Sequence, residues 1–217
     1  MPLNPKPMLD LIARHESESS AASQGVSSGY DVVVRQAFKI HPPTKPITSM
    51  TVGEVLEWQS EAIRIYQTRF ASRNGYSAVG RYQIIRSTLL GLLDPDWKMS
   101  DAFDEETQDL LAMQLLRRRG WSKWASAKSV EADGAFADSL SREWASLPYN
   151  NGKSYYAGDG HGNASLVSRE EVLRVLRDDA DARRPGRLVE RSRDLLHVAL
   201  ERGAGVRGDG HRRSHGR

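Results

Sequence analysis

Along most of this chain apolar residues recur at the three- and four-residue spacing of helices, and strand-like runs are short. Leu9, Ile12, Ala13 and Glu16 share one helical face, and Pro7 suits the start of that helix. Residues 19–29 are small and polar and read as a loop, followed by the β-branched run Tyr30–Val34, which predicts a strand. The prolines of 41–46 predict extended chain. Thr51 with Glu54 three residues later makes a capping box for an amphipathic helix through Val55, Leu56, Trp58, Ala62 and Ile63 to about residue 66. Residues 73–80 predict a turn, and Arg81–Ile85 a strand or extended segment.

Downstream the pattern is almost wholly helical. A short helix over 87–93 stops at Asp94-Pro95, and a longer one over 104–119 carries Leu110, Leu111, Gln114 and Leu115 and stops at Gly120. Phe136, Leu140 and Trp144 predict a buried helix of about 133–147, ended by Pro148. Residues 149–165, rich in Gly, Asn and Tyr, read as a loop. Ser168 and Glu171 form a second capping box for a helix to about 182. A last amphipathic helix is expected over Leu188–Leu200, closed by Gly203, and the residues after it have nothing to bury. The sum is an α+β domain, mainly α.

Composition narrows the possibilities. The chain has 217 residues, 39% of them hydrophobic, which is enough for one full domain with a modest appendage. It has no cysteine, which excludes disulfides, thiolate metal sites and a cysteine nucleophile. His161, His211 and His215 lack ligand spacing, so no metal and no cofactor is expected. No apolar run is long enough to span a bilayer, and MPLNPKPMLD does not read as a signal peptide, so the expectation is synthesis in the cytoplasm.

The net charge of +3 is unevenly spread. Residues 183–217 hold ten arginines against four acidic residues, a local +6, which leaves the rest near −3. A domain over 1–183 and a basic helix and tail over 184–217 are therefore expected. Such a tail suits an anionic envelope, an acidic partner protein or plain solvation. Nucleic acid is disfavoured as a partner, since the last 34 residues contain no Phe, Trp or Tyr to stack on bases.

Glu16 is the residue that does not fit. A carboxylate on an apolar helical stripe must be paired, exposed or used. Its bland readings are exposure to solvent or pairing with Arg14 or Arg81. Near a helix C-terminus and beside an apolar wall, both the dipole and desolvation raise a carboxyl pKa. A carboxyl kept protonated is what a glycosidase needs to protonate a leaving oxygen. Glu18 is a rival acid, lying past the stripe, whereas His15 points off it and is expected at the surface.

Glu16-Ser17 at a helix end, followed later by Gly80-Arg81-Tyr82-Gln83-Ile84, resembles the lysozyme-like lytic transglycosylases and phage muramidases. With Gly29-Tyr30-Asp31-Val32 and Trp144-Ala145-Ser146-Leu147-Pro148, in this order, the chain most resembles the phage lambda endolysin family, glycoside hydrolase family 104, over roughly residues 9–180. The resemblance implies a lysozyme-like fold with a small β-sheet beside the cleft. It implies peptidoglycan glycan strands as substrate, cut between N-acetylmuramic acid and N-acetylglucosamine. Glu16 would be the single acid/base and the product a 1,6-anhydro sugar. Asp31 is an alternative second carboxylate for a hydrolytic muramidase, or a brace for its loop. Ser17, Tyr30, Tyr82, Gln83 and Tyr149 are candidate substrate-binding residues, with packing as the competing role for each tyrosine and the glutamine. The basic C-terminal helix is a candidate dock for phage virion or lysis proteins. A non-catalytic virion or tail protein that keeps the fold is the reading from a different class. Action in the periplasm or cell wall after release, or carriage in the virion, would follow from the resemblance. The stretch between Asp31 and Gly80 looks longer than in the lambda enzyme, and the tail is extra.

Overall fold

The computed structural model describes residues 4–181 except 74, 128 and 161. The helix predicted at the N-terminus is α1, Lys6–Ala13, which buries Met8, Leu9, Leu11 and Ile12. Its axis continues through a π-helical turn, Arg14–Glu18, into α2, Ser19–Gln24, where Gly25 ends it at φ +69°. The predicted loop over 19–29 is thus half helix. Serine and alanine are compatible with a helix that an upstream segment has already nucleated.

The expected strand at Tyr30–Val34 is absent. Gly29–Asp31 form a 3₁₀ turn, and Val33 keeps a single bridge to Val79. A side chain takes the place of a neighbouring strand: Gln24 Nε2 donates to the Val33 carbonyl at 2.6 Å, and the Val33 amide donates to Gln24 Oε1 at 3.1 Å. With the backbone satisfied in this way, no ladder is needed. Arg81–Ile85 likewise reduces to a tight turn closed by the Val79–Ile84 bridge. Among the described residues the expected small sheet is represented only by isolated bridges.

α3, Arg35–Ile40, was not predicted. The capping box forms as expected and starts α4, Val52–Phe70, with the Glu54 amide donating to Thr51 Oγ1 at 3.2 Å and the Thr51 amide to Glu54 Oε2 at 2.8 Å. α5, Arg86–Leu92, and α6, Glu105–Arg118, match their predicted spans, and Asp104 caps α6 by accepting from the Thr107 amide. α7, Trp121–Ala127, went unpredicted because its two tryptophans show no longer period. α8, Val130–Ser141, is capped by Ser129 and ends before Trp144, so Trp144 belongs to the loop that follows. α9, Arg169–Asp181, starts where Ser168 accepts from the Glu171 amide.

The core is one cluster. α9 packs on α1 and α8, and α4 through α8 pack in succession. Trp121, Trp124 and Phe136 meet ring to ring, with Trp124 stacked on Phe136 at 5.0 Å. Among the described residues no helix is long and apolar enough to cross a membrane. The expected helix over 188–200 and the basic tail lie outside the described residues.

Candidate active site

The three sequence motifs converge by hydrogen bonding to one another. The Gly80 amide donates to the Val32 carbonyl at 2.7 Å, and Trp144 Nε1 donates to the Tyr82 carbonyl at 3.2 Å. Ser146 reaches Glu16 from the third motif: its Oγ donates to Glu16 Oε1 at 2.6 Å and its amide to the same oxygen at 3.3 Å. The middle motif turns on Gly80 at φ +75° and Gln83 at φ +47°. A left-handed residue other than glycine is costly. Gln83 is held there by its own amide, which donates to the carbonyls of Gly80 at 2.9 Å and Val32 at 3.3 Å.

Glu16 sits in the π-helical turn, a distortion often found at functional sites. It is half-buried and lines a cavity of about 580 Å³ together with Tyr82, Gln83, Trp144, Arg119 and Glu143. Burial pushes its carboxyl above the ordinary glutamate range, against the two donors of Ser146, which favour the charged form. Both donors land on Oε1. Oε2 accepts no hydrogen bond among the described residues. Neither sequence-predicted pairing forms, since Arg14 bridges Glu171 and Arg81 bridges Asp10 and Glu18. Glu18 is exposed and lies outside this cavity. His15 differs from its expected surface position: its Nε2 is buried without a hydrogen-bond partner among the described residues.

The candidate binding residues fall into two groups. Tyr82 and Gln83 line the Glu16 cavity. Ser17, Tyr30, Asp31 and Tyr149 do not. Ser17 is fully buried and its Oγ donates to the carbonyls of Arg81 at 2.8 Å and Ala13 at 3.3 Å. Tyr30 faces a separate groove, where it donates to Asp109 at 2.9 Å and accepts from Arg81 at 3.0 Å. Tyr82 borders both spaces, and its hydroxyl donates to Asp109 at 2.6 Å while burial pushes its pKa up. Asp31 accepts from the Thr48 amide at 2.8 Å and the Thr48 hydroxyl at 2.9 Å, both on Oδ1, and so braces its loop. Tyr149 packs edge-on to Tyr155.

Sequence reasoning missed several lining residues. Glu143 and Asp159 are further carboxylates lining the cavity: Arg119 matches Glu143 with nitrogens at 2.7 Å and 2.6 Å from Oε2, and Asp159 Oδ2 accepts from Asn163 Nδ2 at 2.7 Å. Arg142 and Tyr156 border the same space. None of these lies on an anomalous position of a helical stripe, so no periodicity exposed them. Ser146 was visible within its motif, but only the fold shows it reaching Glu16. Among the described residues no cluster of histidine and acidic side chains has the geometry to hold a metal ion.

A family model described as Endolysin matches residues 6–167. No curated protein and no solved structure matches the chain.

Proposed function

Because the chain belongs to the endolysin family, and is thereby a phage-type peptidoglycan-degrading enzyme, we propose that Glu16 alone carries its chemistry as a lytic transglycosylase. The bond cut is the β-1,4 linkage from N-acetylmuramic acid to N-acetylglucosamine. The observation that carries this reading is Glu16 itself: a carboxyl whose pKa is raised by burial, held on one oxygen by Ser146, with its other oxygen unclaimed at a cavity of glycan size.

Protonated Glu16 gives its proton to the bridging oxygen as the bond to C1 of the muramoyl residue breaks. The carboxylate then takes the proton of the muramoyl 6-hydroxyl while that oxygen bonds to C1. The proton count returns to its start, no water is consumed, and the product is a 1,6-anhydromuramoyl end. Hydrolysis would require a carboxylate to activate water on the far face of the sugar. The two hydrogen bonds that Asp31 accepts from Thr48 support the single-carboxylate reading, as does the pairing of Glu143 with Arg119.

We assign the mainly helical domain to the lysozyme-like class and to its lambda-type branch on the strength of the three converging motifs. Synthesis in the host cytoplasm followed by action on the wall fits the family, and carriage in a virion uses the same chemistry. Digestion of purified sacculi followed by mass spectrometry of the released muropeptides tests the mechanism. Anhydro products, lighter by one water, are expected from the wild type. Mainly reducing ends would overturn it.

A further inference from the structure

Two arginines border the Glu16 cavity, and their electrostatic situations differ. Arg119 is matched by Glu143. Arg142 is exposed and makes no ion pair among the described residues; nearby Asp138 is bridged instead to Arg169 at 2.6 Å. Its guanidinium is nevertheless placed with care. The carbon Cζ lies 5.1 Å from the ring centre of Tyr155 and 5.8 Å from that of Tyr149. Those rings meet edge to face at 5.5 Å, and Tyr155 meets Tyr156 at 5.3 Å. The backbone beneath is pinned as well, since the Arg142 carbonyl accepts from Tyr156 Oη at 2.6 Å and from Arg119 at 3.1 Å. Aromatic faces hold a guanidinium without consuming its charge, and leave most of its five donors free along the edge.

The substrate supplies a counterpart. N-acetylated sugars are neutral, so an intact glycan strand brings its negative charge through the carboxylates of the peptide that is amide-linked to the lactyl carboxyl of each muramoyl residue, whereas a strand without that peptide exposes the lactyl carboxylate instead. The scissile bond leaves C1 of a muramoyl residue, so that residue sits against Glu16 and its peptide must exit at the mouth of the cavity. We infer, on the reading of the previous subsection, that Arg142 binds a carboxylate of this peptide stem and sets a preference for strands whose stems keep their charged carboxylates over strands whose stems are neutral. The planar fork of arginine suits a carboxylate, and the tyrosines keep it pointed at the exit.

The test compares full-length wild type, Arg142→Gln and Arg142→Lys on two substrates: glycan strands with their stems, and the same strands after carbodiimide and ammonium have converted the stem carboxyls to neutral amides. Each protein is scored by the ratio of kcat/KM on the two, which cancels any partial loss of folded enzyme. The wild type should favour the strands with charged stems by about tenfold or more, the scale of a hydrogen bond to a charged group. Arg142→Gln should bring the ratio close to one, and Arg142→Lys should keep part of it. A wild type without preference, or an Arg142→Gln ratio equal to the wild-type ratio, overturns the inference while leaving the Glu16 mechanism standing. A wild type that cuts neither substrate overturns both.

Discussion

The hydroxyl of Ser17 donates to the Arg81 carbonyl and, on its other side, occupies the place where a Cβ on Gly29 would fall. Ser17 follows Glu16 directly, so this close approach between the π-helical turn and the Gly29–Asp31 turn fixes the backbone that carries Glu16. Gly29→Ala forces one of the two segments to move. Overpacking of this kind costs about 1–3 kcal/mol, and a small displacement of the acid lowers kcat by about tenfold or more. Thermal unfolding and sacculus clearance on one preparation check both. An alanine variant with wild-type stability and rate would show that the contact does not position Glu16.

Glu16→Gln removes the proton shuttle but keeps an oxygen for Ser146. Its activity should fall by about 10²–10⁴. Its stability should move the other way. The native carboxyl holds its proton to higher pH than the unfolded one, so wild-type stability declines as pH rises from the ordinary glutamate range through the raised value. Glutamine has no proton to lose, so the variant should be more stable at neutral pH, by on the order of 1 kcal/mol. That advantage should vanish in acid, below the ordinary glutamate range. Denaturation curves at several pH values decide it, and an advantage that grows on acidification would contradict the assigned sign.

Ser146→Ala removes the stronger of the two donors to Glu16 Oε1. That donor favours the carboxylate, so its loss lets the carboxyl keep its proton longer. The alkaline limb of the kcat/KM profile should therefore move to higher pH. A downward shift would mean that Ser146 serves the protonated form instead.

Asp31 separates the two mechanisms. If it only braces Thr48, Asp31→Asn keeps an acceptor oxygen and should lose little activity, whereas Asp31→Ala leaves the Thr48 amide unpaired and loses about 1–3 kcal/mol of stability. Both variants should still release anhydro products. An Asp31→Asn enzyme as inactive as Glu16→Gln would make Asp31 a second catalytic carboxylate.

Periodicity and caps made most of the helices legible, because Thr51, Ser168 and the spacing of Leu111 and Leu115 are local signals. The strand at Tyr30–Val34 was misread for a non-local reason: the side chain of Gln24 takes the place of a partner strand. Glu16 stood out because it broke a pattern. Glu143, Arg119 and Arg142 broke none, and only the meeting of α6 with the chain after α8 brings them to the cavity. Ser17 and Tyr30 were legible as motif residues, but which way a side chain faces at a turn depends on contacts far along the chain, such as Arg81.

Glu16 and Ser146 stand 130 residues apart, and their hydrogen bond joins the π-helical turn after α1 to the loop after α8. A contact of that span belongs to the slow, late part of folding, since loop closure precedes its reward. An emerging chain has no such bond until nearly the whole domain has left the ribosome. On the proposed mechanism, lytic competence is thereby tied to completion of the fold: truncated and half-made chains carry Glu16 yet lack the Ser146 contact and the burial that raises its pKa.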